Sequence, residues 1–233
     1  MLIYAHRGAS ADFPEMSRAA YLAAVEQGAD GFECDLRLTR DGFLICFHDD
    51  DLMRIAGSPL VVADSTLAEL RSHTEILTFE ELLEIALTHK KNLALETKHP
   101  VPTRGRVEDL LLSHLKARRQ EITHSGIEIA IMSFSWWAVR RIRRSGYESV
   151  YLIAHRWQRI LNRFEAIGPG IFLLRGDHGL SAKLRVKGRR LFIWTVNTID
   201  DLEVAIRAEA DVVMSDRPGE MKAALRSREP LDS

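Results

Sequence analysis

Eight short runs rich in Ile, Val, Leu and Phe recur along the chain, each parted from the next by a longer segment, most of them helical in period. The runs are Leu2–Ala5, Gly31–Leu36, Asn92–Glu96, Glu128–Phe134, Val150–Ala154, Ile171–Leu174, Leu191–Val196 and Asp211–Met214. The amphipathic segments between them include Glu15–Gln27, Phe79–His89, Val107–Arg119, Trp136–Arg144, Trp157–Ile167 and Ile199–Ala208. Alternation of this kind builds a parallel sheet flanked by helices. Eight strands in 233 residues fit a (β/α)8 TIM barrel, whose usual size is about 250 residues. A doubly wound open sheet would need fewer strands. One extra run, Phe43–Phe47, follows the turn signal Asp41-Gly42 and predicts a short β-hairpin partner for the second strand. No linker interrupts the pattern, so residues 1–233 read as a single α/β domain.

Composition narrows the classes of partner. The net charge of −1 leaves no global basic field to draw in nucleic acid or an anionic membrane. Basic residues do cluster locally, in Arg140-Arg141-Ile142-Arg143-Arg144, where a solvated helix face is the simplest account. Cys34 and Cys46 are too few for a disulfide framework and point to a reducing compartment. No uncharged apolar stretch approaches the roughly 18 residues of a membrane span, and the opening Met1-Leu2-Ile3-Tyr4-Ala5-His6-Arg7 has no secretory pattern. A cytoplasmic protein without stable membrane insertion is therefore expected.

Strand periodicity groups the polar residues. Side chains alternate across a strand, so Glu33 and Asp35 share one face while Phe32, Cys34 and Leu36 share the other. Two carboxylates in one small volume repel unless protons or a cation neutralise them, and an oxygen-rich set suits Mg²⁺, Ca²⁺ or Mn²⁺. Salt bridges to neighbouring strands are the plainer alternative. Glu96 and Lys98 likewise share a face at the end of their strand. Glu96 could complete a three-carboxylate set, and Lys98 beside a cation hints at an anionic, phosphate-type substrate. His6 and His48 each end a strand, where paired imidazoles can act as general acid and general base. Arg7 offers a planar fork for phosphate oxygens. Trp194 is expected on one strand face with Phe192 and Val196, either as a substrate wall at the mouth or as core packing. The other seven histidines lack such companions, though His155 also ends a strand.

Taken in order, these motifs resemble the glycerophosphodiester phosphodiesterase family. The resemblance rests on Ala5-His6-Arg7-Gly8, Pro14-Glu15, the run from Gly28 to Asp35, His48-Asp49, Glu96-Thr97-Lys98, Trp194-Thr195-Val196-Asn197 and Ser215-Asp216-Arg217-Pro218. It implies a barrel hydrolase that splits a small-molecule glycerophosphodiester into glycerol 3-phosphate and an alcohol with the help of a divalent cation. It further implies that Glu33, Asp35 and Glu96 bind the metal, that His6 and His48 form the acid–base pair, and that Arg7 and Lys98 bind the substrate and stabilise phosphoryl charge. A phospholipase D-like enzyme acting on lysophospholipids or sphingomyelin would share these groups. A non-catalytic phosphate-binding barrel would have no need of the matched histidines.

Three departures bear on the mouth of the site. Where many members read Pro-Glu-Asn-Thr, this chain has Pro14-Glu15-Met16-Ser17, and the usual Leu-x-Arg-Thr-Thr is Leu52-Met53-Arg54-Ile55-Ala56. The insertion between Leu70 and Phe79 is also reduced. A more open, less polar mouth is the expected consequence.

Overall fold

The computed structural model describes residues 1–161, 164–177, 179–185 and 188–228. Its nine strands are β1 (Leu2–His6), β2 (Gly31–Leu38), β3 (Leu44–Cys46), β4 (Asn92–Thr97), β5 (Ile129–Ser133), β6 (Glu148–Ile153), β7 (Ala166–Pro169), β8 (Arg190–Ile193) and β9 (Val212–Ser215). They follow the order β1-β9-β8-β7-β6-β5-β4-β2-β3, and β1 also pairs with β2. Eight parallel strands therefore close on themselves as the expected TIM barrel, while β3 lies antiparallel along β2 with Leu36 opposite Cys46. Among the described residues no helix is long and apolar enough to cross a membrane.

The apolar residues fall into two concentric layers, as strand alternation requires. Tyr4, Ala94, Met132, Leu152, Phe192 and Met214 fill the barrel interior. Phe32, Cys34, Leu36, Leu93 and Leu95 face outward against helices such as Phe79–His89, and Ile167, Leu191 and Val213 do the same on the far side. That helix begins where the sequence predicts, because Thr78 caps it and Glu81 returns a bond to the Thr78 backbone. Beneath the shortened insertion a satellite cluster of Ile45, Phe47, Leu52, Val62, Leu67 and Leu70 anchors the chain that follows β3.

Five elements differ from the sequence pattern. The run Ile171–Leu174 is not a strand: it lies in the helix Ile171–Arg175, started at Gly170 and ended at Gly176. The seventh strand is Ala166–Pro169, so the predicted helix Trp157–Ile167 gives way to a 3₁₀ turn at Arg156–Leu161 and then to β7. Four consecutive apolar residues cannot distinguish a strand from one buried helical turn. Gly168 and Pro169 read as breakers, yet the barrel wall needs a glycine at 168, where a Cβ would come 2.4 Å from Leu152. The first helix starts at Arg18 rather than Glu15, since the Ser17 hydroxyl accepts from the Ala20 amide. The segment predicted as Val107–Arg119 divides at Arg118 into the helices Arg106–Ala117 and Arg119–Ser125. A closing helix, Pro218–Arg226, was not anticipated.

Gly31 shows how tightly the barrel floor is filled. A Cβ there would lie 2.7 Å from the Asn92 carbonyl oxygen and 2.8 Å from the Tyr4 ring. Gly31→Ala is expected to cost about 1–3 kcal/mol, the usual range for overpacking a filled core. Urea unfolding checks this, and an unchanged midpoint would mean that the floor has slack.

Candidate active site

The interior columns of β1, β2 and β4 turn from apolar to charged as they near the C-terminal end of the barrel. On β1 the column runs Leu2, Tyr4, His6; on β2, Gly31, Glu33, Asp35; on β4, Ala94, Glu96, with Lys98 just beyond. Strand register then sets the neighbours. His6 lies opposite Glu33, and Asp35 lies opposite Glu96. The predicted pairing of Glu33 with Asp35 is thus realised, and Glu96 joins them: carboxylate oxygens of the three lie within 4.8 Å of one another, and all three residues are buried.

Two cations answer this charge directly. Arg7 Nε lies 2.9 Å from Asp35 Oδ2, and Lys98 Nζ lies 2.9 Å from both Asp35 Oδ1 and Glu96 Oε1. Although burial opposes its ionisation, Lys98 and Arg7 hold the Asp35 carboxyl well below the usual carboxylate range. Glu96 goes the other way: burial and the Asp35 charge push it up to about 7, against the pull of Lys98. Burial and Asp35 likewise push Glu33 well above its ordinary value. The protein's own cations leave this set short of positive charge. Both Asp35 oxygens are buried without a well-directed hydrogen bond, despite the two nearby cations. Three clustered carboxylates with such unsatisfied oxygens are a donor set that fits a hard divalent cation.

The two predicted histidines are held in different ways. His6 Nδ1 donates to Asp216 Oδ1 at 2.6 Å, which leaves Nε2 facing Glu33 Oε2 at 3.7 Å. Asp216 is itself fixed by Ser10 Oγ at 3.0 Å and Asn197 Nδ2 at 2.6 Å. Burial disfavours the imidazolium of His6, but Glu33 and Asp216 more than offset it and the pKa is raised. His48 is half-buried and donates from Nδ1 to Asp49 Oδ1 at 2.7 Å. Burial draws its pKa down, and the neighbouring Asp35 and Asp49 do not cancel that effect. Arg54 ties Asp49, through Nε at 2.6 Å, to Glu15, and Glu15 in turn lies 3.5 Å from Arg7 NH1. A cavity of about 360 Å³ opens over His6, Arg7, Ser10, Glu15, Asn197 and Asp216.

Asp216, Asn197, Asp49 and Glu15 were visible in the sequence only as members of motifs, with no role attached. What gives them one is contact: the His6–Asp216 bond spans 210 positions. Trp194 is half-buried at the mouth, its indole N–H donating to the Gly168 carbonyl at 2.7 Å and its ring edge-on to Phe134 and Phe172. It does not share a face with Val196, because β8 ends at Ile193 and Val196 packs into the outer layer. Met16 does not make the mouth less polar: it is buried in the outer core cluster. His155 is exposed and stacks on Trp157, His99 and His114 pair with Glu108 and Glu80, and His178 lies outside the described residues.

Comparison with known proteins agrees with this geometry. A family model described as the glycerophosphoryl diester phosphodiesterase family matches residues 6–220. A Mycobacterium tuberculosis protein named "Probable glycerophosphodiester phosphodiesterase 1" is 33% identical, over 96% of this chain and 92% of that protein. A glycerophosphodiester phosphodiesterase of Caldanaerobacter subterraneus is 28% identical, over 93% of this chain and 94% of its own length. Among solved structures, a glycerophosphodiester phosphodiesterase from Thermotoga maritima superposes with a TM-score of 0.80 at 24% identity, covering 96% of this chain and 97% of that one. A phosphodiesterase from Oleispira antarctica, solved with the product sn-glycerol-3-phosphate, gives 0.77 at 22% identity, covering 97% of each chain. At these identities the structures bear on the fold alone.

Two predictions follow from the charge arrangement. Divalent cation at about 100 times its dissociation constant should stabilise the protein by about 2.7 kcal/mol, seen as a rise in melting temperature that EDTA reverses. Asp35→Asn and Glu96→Gln should blunt that rise, and a cation-independent melting curve would remove the metal from the site. Separately, Asp216→Asn should lower kcat with little change in KM, because it frees the His6 ring from its fixed orientation. Unaltered kcat would show that His6 needs no such anchor.

Proposed function

The chain belongs to the glycerophosphoryl diester phosphodiesterase family, and from that premise we propose that it hydrolyses glycerophosphodiesters to glycerol 3-phosphate and an alcohol. The observation that carries the proposal is the meeting of His6, Arg7, Glu33, Asp35, Glu96 and Lys98 at the C-terminal end of one barrel. That end is where TIM-barrel enzymes keep their chemistry. The curated relatives named glycerophosphodiester phosphodiesterase, matched over nearly the whole chain, support the same outcome here.

In this reading Glu33, Asp35 and Glu96 hold a divalent cation, Mg²⁺, Ca²⁺ or Mn²⁺. Such a cation, when bound, supplies positive charge for the phosphoryl oxygens of a transition state. Arg7 and Lys98 serve the same oxygens from the protein side, since both already stand against the carboxylate set. The neighbouring glycerol hydroxyl attacks phosphorus, and one imidazole of the His6 and His48 pair takes its proton. The other imidazole gives a proton to the departing alcohol as the P–O bond to it breaks. Water then opens the five-membered cyclic phosphate with the proton transfers reversed, which leaves glycerol 3-phosphate. Intramolecular attack benefits from a high effective molarity. Trp194 lines the mouth as a substrate wall while its N–H stays tied to the barrel.

We assign the catalytic unit to residues 1–233 as one domain. The buried free thiols of Cys34 and Cys46 support a reducing, cytoplasmic setting.

His6→Ala and His48→Ala are each expected to lose about 10²–10⁴ in turnover while circular dichroism stays native. A panel of glycerophosphocholine, glycerophosphoethanolamine and lysophosphatidylcholine with EDTA and metal add-back tests class and cofactor together. Preference for the lysolipid would favour the phospholipase D-like reading. A substrate analogue lacking the 2-hydroxyl should bind comparably yet turn over far more slowly, and equal rates would make water the direct nucleophile.

A further inference from the structure

The rim of the barrel carries exposed aromatic side chains that the proposed chemistry does not use. Trp137 is 73% exposed at the start of the helix Trp136–Arg143, which follows β5, and Trp157 is 60% exposed in the turn that follows β6. Phe172, after β7, is also exposed. Because β5, β6 and β7 are neighbours in the barrel, the three rings stand on adjacent connections that leave its C-terminal end. At the opposite end, among the described residues, Met1 before β1 is the one exposed large hydrophobic residue on a segment entering a barrel strand. The exposed aromatic rings therefore stand toward the face that holds the site.

Basic side chains stand beside the first of these rings, in a chain whose net charge is −1. Arg104, on the loop after β4, faces the helix after β5 across a cleft of about 580 Å³ that Trp137, Arg140 and Arg141 also line. Trp137, Arg140 and Arg141 lie three and four positions apart, on one helix face. Arg141 is paired with Asp109, but among the described residues no carboxylate comes within salt-bridge distance of Arg104 or Arg140. Arg140 lies over the Trp136 ring, 5.3 Å from its centroid.

We propose that this rim, over β4 to β7, docks on the surface of an anionic lipid bilayer, with Trp137, Trp157 and Phe172 in the headgroup layer and Arg104 and Arg140 against lipid phosphates. Tryptophan favours that layer because its ring is apolar and its N–H is polar. Arginines near an anionic surface add an attraction that salt screens. The rings stand on three separate elements, two helix starts and a turn, which suits a soft interface that needs no single continuous patch. A folded protein partner would more naturally bury one continuous patch. Docking would be peripheral and reversible, and it would face the catalytic mouth toward the headgroup layer. The inference is independent of which glycerophosphodiester is turned over.

Flotation of the full chain with phosphatidylcholine vesicles, with and without phosphatidylglycerol, tests it. Binding is expected only with the anionic lipid, together with a blue shift of tryptophan emission, and should weaken as salt is raised. Arg104→Ala and Arg140→Ala should each weaken it about fivefold. Trp137→Ala and Trp157→Ala should each weaken it about tenfold. All four sites are exposed, so melting temperature and turnover of soluble glycerophosphocholine should stay as in the parent chain. Absence of binding at low salt overturns the proposal, as does binding that survives all four substitutions. Binding that the arginine variants lose but the tryptophan variants keep, matched by equal retention on heparin, overturns it in favour of a general polyanion site.

Discussion

Glu33, Asp35 and Glu96 bring three carboxylates into one buried volume, where among the described residues only Arg7 and Lys98 touch them as fixed cations. One negative charge is left over, and the low dielectric of the barrel makes it expensive to keep. The mouth is arranged around that imbalance. Asp35, which both cations contact, stays ionised, whereas Glu33 and Glu96 are driven toward protonation. The same imbalance makes the site receptive to a divalent cation. A site with balanced charge would be more stable and would have less reason to bind one.

The barrel supports this tension through two separate networks. His6 is anchored to Asp216, which lies one residue beyond β9 and is held in turn by Asn197, just after β8. His48 is anchored outside the barrel wall, through Asp49 and Arg54 to Glu15, on chain packed over the satellite cluster. One imidazole thus inherits the rigidity of the closed sheet and the other that of the hairpin β3 and its following loop. Their pKa values are displaced in opposite directions, up for His6 beside Glu33 and Asp216 and down for His48 through burial.

Strand alternation made much of this legible beforehand. Period two alone puts Glu33 with Asp35 and Glu96 with Lys98, and the barrel topology then supplies the register that joins the pairs. Periodicity fails where a run is too short to show a period, as at Ile171–Leu174, and where packing demands a breaker inside a strand, as at Gly168. It is silent on Asp216, whose orienting role depends on a contact between the two ends of the barrel sequence. The exposed tryptophans were equally hidden, since a Trp beside a basic helix reads as core until its exposure is known.

Position 16 shows how a motif can be conserved in type for a reason other than its side-chain chemistry. Arg7 and Met16 both adopt left-handed backbone, with φ of 59° and 55°. The turn at Arg7 lets its amide donate to Glu33 while its guanidinium reaches Asp35, and the Met16 amide closes the loop on the Arg7 carbonyl at 2.8 Å. Asparagine tolerates left-handed backbone better than most residues, so it would suit this position on backbone grounds alone. Methionine gives up that tolerance, at a cost of about 1–2 kcal/mol. Its side chain is buried in the outer core, and full burial of methionine contributes about 1.5–3 kcal/mol. The two effects are of the same size, so the loop that aims Arg7 keeps its shape with packing in place of backbone preference. The departure at Met16 therefore alters what stabilises the catalytic loop and leaves the polarity of the mouth to Glu15, Arg54 and Asn197.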